Sequence, residues 1–230
     1  MDEVTGLKQQ AARAAAQLVE SGMIVGLGYG STTHFAVQHL AERLAQGEIE
    51  AIVAITASAS TASQARRLRI PLTSTALDRM PDITIDGADE VDPHLRLIKG
   101  GGGALLHEKI LAQASKRLVI IVDETKLSPA LGSKFPLPIE VVEFGLASQL
   151  AFLETQGART VIRRDESDSW FRTAEGNLLL DCNFGVIEKP DELAAILDKR
   201  AGIVAHGLFV GMADEVIVAS PGGIQVLRRG

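Results

Sequence analysis

The sequence predicts an α/β protein with parallel strands and helices on both faces of its sheet, joined to a small α+β unit. Two observations lead to this class. Up to about Phe135, short apolar runs alternate with longer segments of helical spacing, the pattern of parallel βαβ units. After Phe135, Pro136 and Pro138 interrupt the chain and the elements become shorter and more mixed.

The first part of the chain supplies the predicted βαβ units. Helices are expected where apolar residues recur at helical spacing and a glycine or polar residue marks an end. These helices are Leu7–Glu20, Ser31–Ala45, Ser60–Leu68 and Ala104–Ser115. Strands are expected at the short apolar runs between them. These strands are Met23–Leu27, Ala51–Ile55, Ile83–Asp86 and Leu118–Val122.

The second part predicts a compact α+β unit and a closing strand. Its charged, turn-rich stretch around residues 163–169 favours a hairpin. The predicted strands are Ile139–Val142, Thr160–Arg163 and Leu178–Asp181, and the predicted helices are Leu146–Thr155 and Glu192–Lys199. The β-branched run Glu215–Ala219 then predicts a last, buried strand.

Composition excludes several classes of function. With 23 Lys and Arg against 29 Asp and Glu, the net charge of -6 disfavours nucleic-acid binding, which needs a basic surface. No apolar run approaches the length of a membrane span, and the polar start of the chain differs from a signal peptide. The single Cys182 and the scattered histidines match no metal-site spacing. We therefore expect a cytoplasmic protein without a metal site.

The first chemical motif is GLGYGSTT, residues 26–33, between a predicted strand and a predicted helix. Glycines allow close backbone approach, and a helix N-terminus offers unpaired N–H groups, with the hydroxyls of Ser31 and Thr32 beside them. The motif lacks the spacing of a dinucleotide fingerprint and of a Walker P-loop. It indicates a phosphate cradle with Ser31 as N-cap; a tight turn alone is the alternative.

The second motif is DITIDGADEVD, residues 82–92, in which Asp86, Asp89, Glu90 and Asp92 follow a predicted strand. Ligands of open α/β sheets bind at the carboxyl ends of the strands. The acids could act on such a ligand, bind Mg²⁺, or form a solvated loop.

The third motif is KGGGGALLHEK, residues 99–109. Consecutive glycines favour a loop whose N–H groups point at an anion. Lys99 precedes this loop and Glu108 follows it, so a cation, a row of donors and a carboxylate fall within ten residues. This set suits the formation of an oxyanion beside a base. A fourth motif, DETK, places Lys126 after another strand, where it could meet a phosphate.

Together with KFPLPIEVV (134–142) and GLFVGMADEVIVA (207–219), these motifs resemble type A ribose-5-phosphate isomerase, in order, from about Leu7 to about Leu227. The resemblance implies a doubly wound main domain, residues 1–134 and 207–230, and a small α+β lid, residues 135–206, inserted before the last strand. It implies a metal-free and cofactor-free interconversion of ribose 5-phosphate and ribulose 5-phosphate in the pentose phosphate pathway. It also implies a homo-oligomer, a dimer or a tetramer.

The same resemblance assigns roles to residues. Glu108 matches the catalytic base, which moves a proton between C2 and C1 through a cis-enediolate. Lys99 with the glycine amides would hold the enediolate oxygen, and Asp86 or Asp89 would open the sugar ring. The matched substrate and phosphate contacts are Tyr29, Gly30, Ser31, Thr32, Gly87, Ala88, Gly100, Gly101, Gly102, Lys126 and Lys8.

Two departures from the family pattern stand near the expected site. Tyr29 replaces a usual Thr, and Leu106–His107 replaces a usual Thr-Arg. Neither removes an expected acid, base or glycine, but both bear on substrate preference.

Two other functions are alternatives to the isomerase. One is a related α/β enzyme of similar fold, such as a sugar-phosphate deaminase or a CoA transferase. The other is a non-catalytic sugar-phosphate sensor.

Overall fold

The structure, a computed structural model, describes residues 3–73 and 80–229. By its internal contacts the chain divides into two compact units. The first comprises Met1–Ala88, His107–Lys126 and Met212–Gly230, and the second comprises Asp89–Leu106 and Leu127–Gly211.

The first unit is built on a six-stranded sheet of order β13-β12-β6-β3-β1-β2. Its strands are β1 (Ile24–Leu27), β2 (Val53–Thr56), β3 (Ile83–Asp86), β6 (Leu118–Asp123), β12 (Glu215–Ser220) and β13 (Gly223–Arg228). Neighbouring strands pair in parallel, except that β12 and β13 pair antiparallel. The predicted, mostly parallel sheet is confirmed.

Helices pack on both faces of this sheet, as predicted. They are α1 (Glu3–Ala16), α2 (Ser31–Ala45), α3 (Ala59–Arg67) and α4 (Leu105–Ala114). Strand β1 is buried on both sides: Val25 and Leu27 pack with residues of α1 and α2, whereas Ile24 packs with Leu111 of α4. Near-continuous apolar strands are the expected result of covering a parallel sheet twice.

Helix α1 ends four residues before the predicted end at Glu20. The guanidinium of Arg43 in α2 donates to the carbonyls of Ala16 and Val19, the latter at 2.9 Å. These bonds link α2 to the segment that follows α1, in which the Ala16 carbonyl also accepts from the N–H of Val19 at 3.3 Å. The helical spacing of the sequence does not show where α1 ends.

The sequence analysis missed strand β13. It follows β12 through a turn closed by the pairing of Ser220 with Gly223, and its edge position leaves Ile224 and Val226 partly exposed. The turn residues Pro221-Gly222 followed by an alternating run were the available signal.

The strand order reverses between β1 and β3. From β1 the chain continues to β2 on one side, and then crosses to β3 on the other. In doubly wound sheets, ligands bind outside the carboxyl ends of the strands at such a point. Here those ends carry Gly28 and Asp86.

The second unit contains two antiparallel sheets. The four-stranded sheet has the order β10-β7-β9-β8 and the three-stranded sheet the order β11-β5-β4. Their strands are β4 (Glu90–Val91), β5 (Leu97–Ile98), β7 (Leu137–Val141), β8 (Arg159–Ile162), β9 (Leu178–Asn183), β10 (Ile203–His206) and β11 (Leu208–Phe209). Strands β4, β5, β10 and β11 were not predicted. Strands β4, β5 and β11 have two residues each, too few to show a periodicity.

Two helices, α5 (Leu146–Thr155) and α6 (Pro190–Asp198), cover one face of the four-stranded sheet. Leu153 and Leu197 reach a core formed by alternate residues of β7 and β9, among them Ile139 and Leu180. The predicted hairpin is also present, with Arg164 paired antiparallel to Trp170.

The boundaries of the compact units differ from those of the predicted domains, because β4 and β5 pair with β11. Residues 89–106 and 127–134 therefore fall in the second unit. The division into domains 1–134 with 207–230 and 135–206 stays a prediction. Among the described helices, none is both long enough and apolar enough to cross a membrane.

Cys182 on β9 gives a test of the core of the second unit. Burial raises the pKa of its thiol to about 12. Because the thiolate is the reactive form, we expect the native protein to react with a disulfide reagent at mildly alkaline pH far more slowly than glutathione. The unfolded chain should react with one equivalent of the reagent, because it has a single cysteine. Rapid titration of the native protein would contradict the burial of this side chain.

Candidate active site

The loop after β1 is shaped by the carboxylate of Asp86. A Cβ on Gly28 would lie 1.9 Å from the Asp86 carboxylate, so only glycine allows this approach. Thr61 of α3 donates its hydroxyl to the Gly28 carbonyl at 2.8 Å and holds the loop from the other side. Glycine at position 28 therefore leaves the space that the Asp86 carboxylate of the neighbouring strand occupies.

Asp86 itself is 1% exposed at the end of β3. Its Oδ1 accepts hydrogen bonds from the backbone N–H groups of Gly87 at 2.7 Å and Tyr29 at 3.2 Å, and from the hydroxyl of Thr33 at 3.4 Å. N–H donors of this kind stabilise a carboxylate. The predicted residues Tyr29, Asp86 and Gly87 are thus in contact. Thr33, which the sequence analysis did not single out, belongs with them.

The start of α2, where an anion cradle is predicted, differs from the prediction in its N-cap. The N-cap is Gly30, not Ser31, and no side chain caps the helix. The first helical hydrogen bond runs from His34 N–H to the Gly30 carbonyl. The N–H groups of the first turn precede this bond and have no partner inside the helix. Such N–H groups can bind a phosphate.

Two lysines lie at this end of the first unit. Lys8 of α1 donates from Nζ to the Ser31 hydroxyl at 3.0 Å, so the structure brings these two predicted residues together. Lys126 ends a short 3-10 helix, Glu124–Lys126, after β6, the strand next to β3. It is half-buried, and its ammonium group makes no hydrogen bond or ion pair with any residue that the structure describes.

Glu108 lies in the first turn of α4 and is 4% exposed. A carboxylate is favoured there by the positive end of the helix dipole. The neighbouring His107 contacts the carbonyl of Ala57, just after β2, through Nδ1 at 3.2 Å. Both residues belong to the first unit, so this contact links α4 to the segment after β2 within that unit.

The predicted residue Ala88 ends the first segment of the first unit, whereas Asp89, Lys99 and Gly100–Gly102 belong to the second unit. Lys99 follows β5 and is 2% exposed; its N–H donates to the Gly207 carbonyl at 2.9 Å and its Nζ lies 5.5 Å from the Phe209 ring centroid. Asp89 accepts at Oδ2 from the N–H of Gly101 at 2.8 Å. The structure thereby joins Asp89 to the glycine loop 100–103.

The other acids of the second motif are structural. Glu90 accepts from the N–H groups of Gly132 at 2.9 Å and Phe135 at 3.3 Å. Asp92 binds the guanidinium of Arg96 at 2.6 Å. Among the described residues, no three His, Cys, Asp or Glu side chains are grouped to hold a metal ion.

A contact to the glycine loop escaped the sequence analysis. Arg163 donates from Nη1 to the carbonyls of Gly100 at 3.1 Å and Gly101 at 2.8 Å, and it pairs with Asp181. Nothing in the sequence marks Arg163, because its meeting with the loop depends on strand pairing between distant segments.

Comparison with known proteins agrees with these motifs. Residues 53–223 match the model of the family described as ribose 5-phosphate isomerase A (phosphoriboisomerase A). The ribose-5-phosphate isomerase A of Chloroflexus aurantiacus is 53% identical over 218 residues, which covers 95% of this chain and 91% of the relative.

Solved structures agree as well. A D-ribose-5-phosphate isomerase in complex with phospho-erythronic acid superimposes with a TM-score of 0.96 and 36% identity over 100% of both chains. The ribose 5-phosphate isomerase A of Methanocaldococcus jannaschii gives a TM-score of 0.92 and 34% identity, covering 97% of this chain and 98% of that one. The fold, the ordered motifs and these matches place the chain in the ribose 5-phosphate isomerase A family.

Proposed function

We propose that Glu108 is the base of this protein, an isomerase that interconverts ribose 5-phosphate and ribulose 5-phosphate in the pentose phosphate pathway. The observation that carries the proposal is a buried carboxylate in the first turn of α4, directly after the glycine loop. An aldose and its ketose differ by a proton moved between C2 and C1. One carboxylate can take this proton from one carbon and return it to the other through a cis-enediolate.

The enediolate oxygen needs a positive or donor-rich environment. We assign this task to Lys99 and the loop of Gly100, Gly101 and Gly102. The loop geometry narrows the choice of amide: the N–H of Gly101 donates to Asp89, and the N–H of Gly103 to the Gly100 carbonyl. Among Gly101, Gly102 and Gly103, the N–H of Gly102 is therefore the donor that we assign to the substrate. Donors fixed in advance stabilise developing charge without reorganisation.

Ring opening requires a proton to leave the C1 hydroxyl and another to reach the ring oxygen. Asp86 and Asp89 are the proposed groups, three residues apart in the chain and each held by a backbone N–H. Either one can serve. The intervening Gly87 and Ala88 are proposed to contact the sugar, as is Tyr29, whose N–H binds Asp86.

The phosphate is proposed to bind at the start of α2. Gly30, Ser31 and Thr32 provide N–H groups and hydroxyls, while Lys8 and Lys126 provide charge. The Lys8–Ser31 hydrogen bond supports this assignment because it places an ammonium group at the helix N-terminus. Binding energy from the phosphate then holds C1 and C2 at the reacting groups.

Three further proposals concern the location, the oligomeric state and the cofactor requirement of the protein. We propose that it works in the cytoplasm, as a homo-oligomer, and without a cofactor or metal ion. Family membership and the net charge of -6 support a small sugar-phosphate substrate rather than nucleic acid as its partner.

The first prediction concerns the base. Glu108→Gln keeps the shape of the side chain but removes its basicity, so turnover of ribose 5-phosphate should fall by more than about 10²-fold. The melting temperature and the affinity for inorganic phosphate should stay close to those of the unchanged protein. Glu154→Gln, at an exposed position of α5, is the matched control. Near-full turnover of the Glu108 variant would move the base to another carboxylate, with Asp86 the next candidate.

A second prediction concerns metal ions. Oxygens of Asp86, Asp89, Glu90 and Asp92 already accept hydrogen bonds from N–H groups of the protein. The described residues group no three His, Cys, Asp or Glu side chains that could hold a metal ion, and Arg96 pairs with Asp92. We therefore expect dialysis against EDTA to leave turnover unchanged. Loss of activity on chelation, restored by Mg²⁺ or Mn²⁺, would instead indicate metal-assisted chemistry.

A third prediction concerns the phosphate. Lys126→Ala should raise KM for ribose 5-phosphate more than it lowers kcat, because a phosphate contact is made equally in the ground and transition states. It should also narrow the preference for ribose 5-phosphate over unphosphorylated ribose. The exposed Lys199, changed to Ala, is the control. An unchanged KM and preference would place the phosphate elsewhere, with Lys8 as the leading cation.

A further inference from the structure

Arg163 connects the four-stranded sheet of the second unit to the glycine loop. It directly follows β8, and its backbone is fixed on both sides: its N–H donates to the Leu179 carbonyl at 2.8 Å, and its carbonyl accepts from the N–H of Phe171 at 2.9 Å. The side chain is only 15% exposed. A guanidinium in this setting has a restricted set of rotamers and can hold a neighbouring segment in place.

All three nitrogens of the Arg163 guanidinium donate hydrogen bonds. Nε donates to Oδ2 of Asp181 at 2.9 Å and Nη2 donates to Oδ1 of the same carboxylate, a bidentate pair. Nη1 points the other way and donates to the carbonyls of Gly100 and Gly101. Asp181 thus sets the plane of the guanidinium, and that plane sets the position of both carbonyls.

The direction of these carbonyls decides where the loop amides point. In a trans peptide the C=O and the N–H of one unit point in opposite directions. Holding the Gly100 carbonyl at Arg163 therefore directs the N–H of Gly101 away from Arg163, where it donates to Asp89. By the same rule, holding the Gly101 carbonyl directs the N–H of Gly102 away from Arg163.

Phe171 supports the same arrangement. Its ring centroid lies 6.0 Å from Cζ of Arg163, within the range of a cation–π contact. The ring also fills the space next to Gly103, where a Cβ would lie 2.5 Å from it. The far end of the loop is therefore packed against the residue that closes the hairpin beside Arg163.

We propose that Arg163 is a positioning residue that aims the Gly102 amide at the enediolate oxygen, with Asp181 as its orienting carboxylate. The inference rests on the proposed function and adds to it a residue outside the substrate contacts. An ion pair that only stabilises the fold would need neither the two carbonyl contacts nor the peptide direction they impose.

The chemistry requires arginine. A lysine ammonium is a single point with three donors, whereas the planar guanidinium carries five N–H groups in a fixed fork. Only the fork can pair bidentately with Asp181 and also donate to two carbonyls. Arg163→Lys should therefore fail to keep function although it keeps the charge.

The test compares Arg163→Ala and Arg163→Lys with Arg164→Ala, which removes an exposed arginine from the next position of the same hairpin. We expect kcat for ribose 5-phosphate to fall by about 10²-fold in both Arg163 variants, as misplacement of a catalytic group by about 1 Å can cause. KM should change little, because the amide acts on the transition state. Millimolar guanidinium should restore part of the turnover of Arg163→Ala but none of that of Glu108→Gln.

A second measurement does not depend on activity. Hydrogen exchange of a peptide covering Gly100–Gly103 should be faster in both Arg163 variants than in the unchanged protein and in Arg164→Ala. Unchanged kcat with unchanged exchange would overturn the inference. A second outcome would also overturn it: kcat falls, guanidinium does not restore turnover, and KM rises by the same factor as kcat falls. That outcome would indicate a role in the fold alone. If the wild-type protein failed to isomerise ribose 5-phosphate, the proposed function would be wrong. The hydrogen-exchange data would still decide whether Arg163 holds the loop.

Discussion

The parallel pairing of β1 with β3 is the constraint on which the placement of Asp86 and of the start of α2 depends. It brings the ends of two strands side by side where the strand order reverses. The Asp86 carboxylate then lies against the backbone of Gly28, and its Oδ1 accepts from the N–H of Tyr29. The same loop continues into α2, so one strand pair positions both Asp86 and the N-terminus of α2.

The second unit uses antiparallel pairing for a comparable purpose. Lys99 follows β5, whose neighbour β11 holds it through the Gly207 carbonyl. The glycine loop that follows has one internal backbone hydrogen bond, from the Gly103 N–H to the Gly100 carbonyl. Two side chains also hold it: Asp89 accepts from one amide and Arg163 donates to two carbonyls. Glycine provides the freedom to adopt this path, and the side chains remove that freedom again.

Much of this could be predicted from sequence, and the limits have physical reasons. Strands β1, β3 and β6 were recognisable because burial on both faces gives a short continuous apolar run. Helix α2 was recognisable because burial along one stripe gives apolar residues at helical spacing. The motif residues were recognisable because glycines and charged groups at strand ends are rarely placed there by packing alone. Short strands such as β4 and β11 have no period to detect. The N-cap was assigned to Ser31 rather than Gly30, because hydroxyl preference outweighed a backbone geometry that the sequence does not display. Arg163 with Asp181 could not be found, since their contact depends on the register of β8 against β9.

The C-terminal hairpin of β12 and β13 affects how the chain can associate with other molecules while it folds. Strand β12 is buried along most of its length, and β13 covers the side of β12 that β6 does not. Until β13 closes over it, β12 presents a bare row of N–H and C=O groups on an apolar strand, which is a template for pairing with another molecule. Once in place, β13 pairs with these groups of β12 and becomes the edge of the sheet, with Arg228 at its end paired to Glu215. An early loss of β13 would therefore expose the more apolar β12 as the sheet edge.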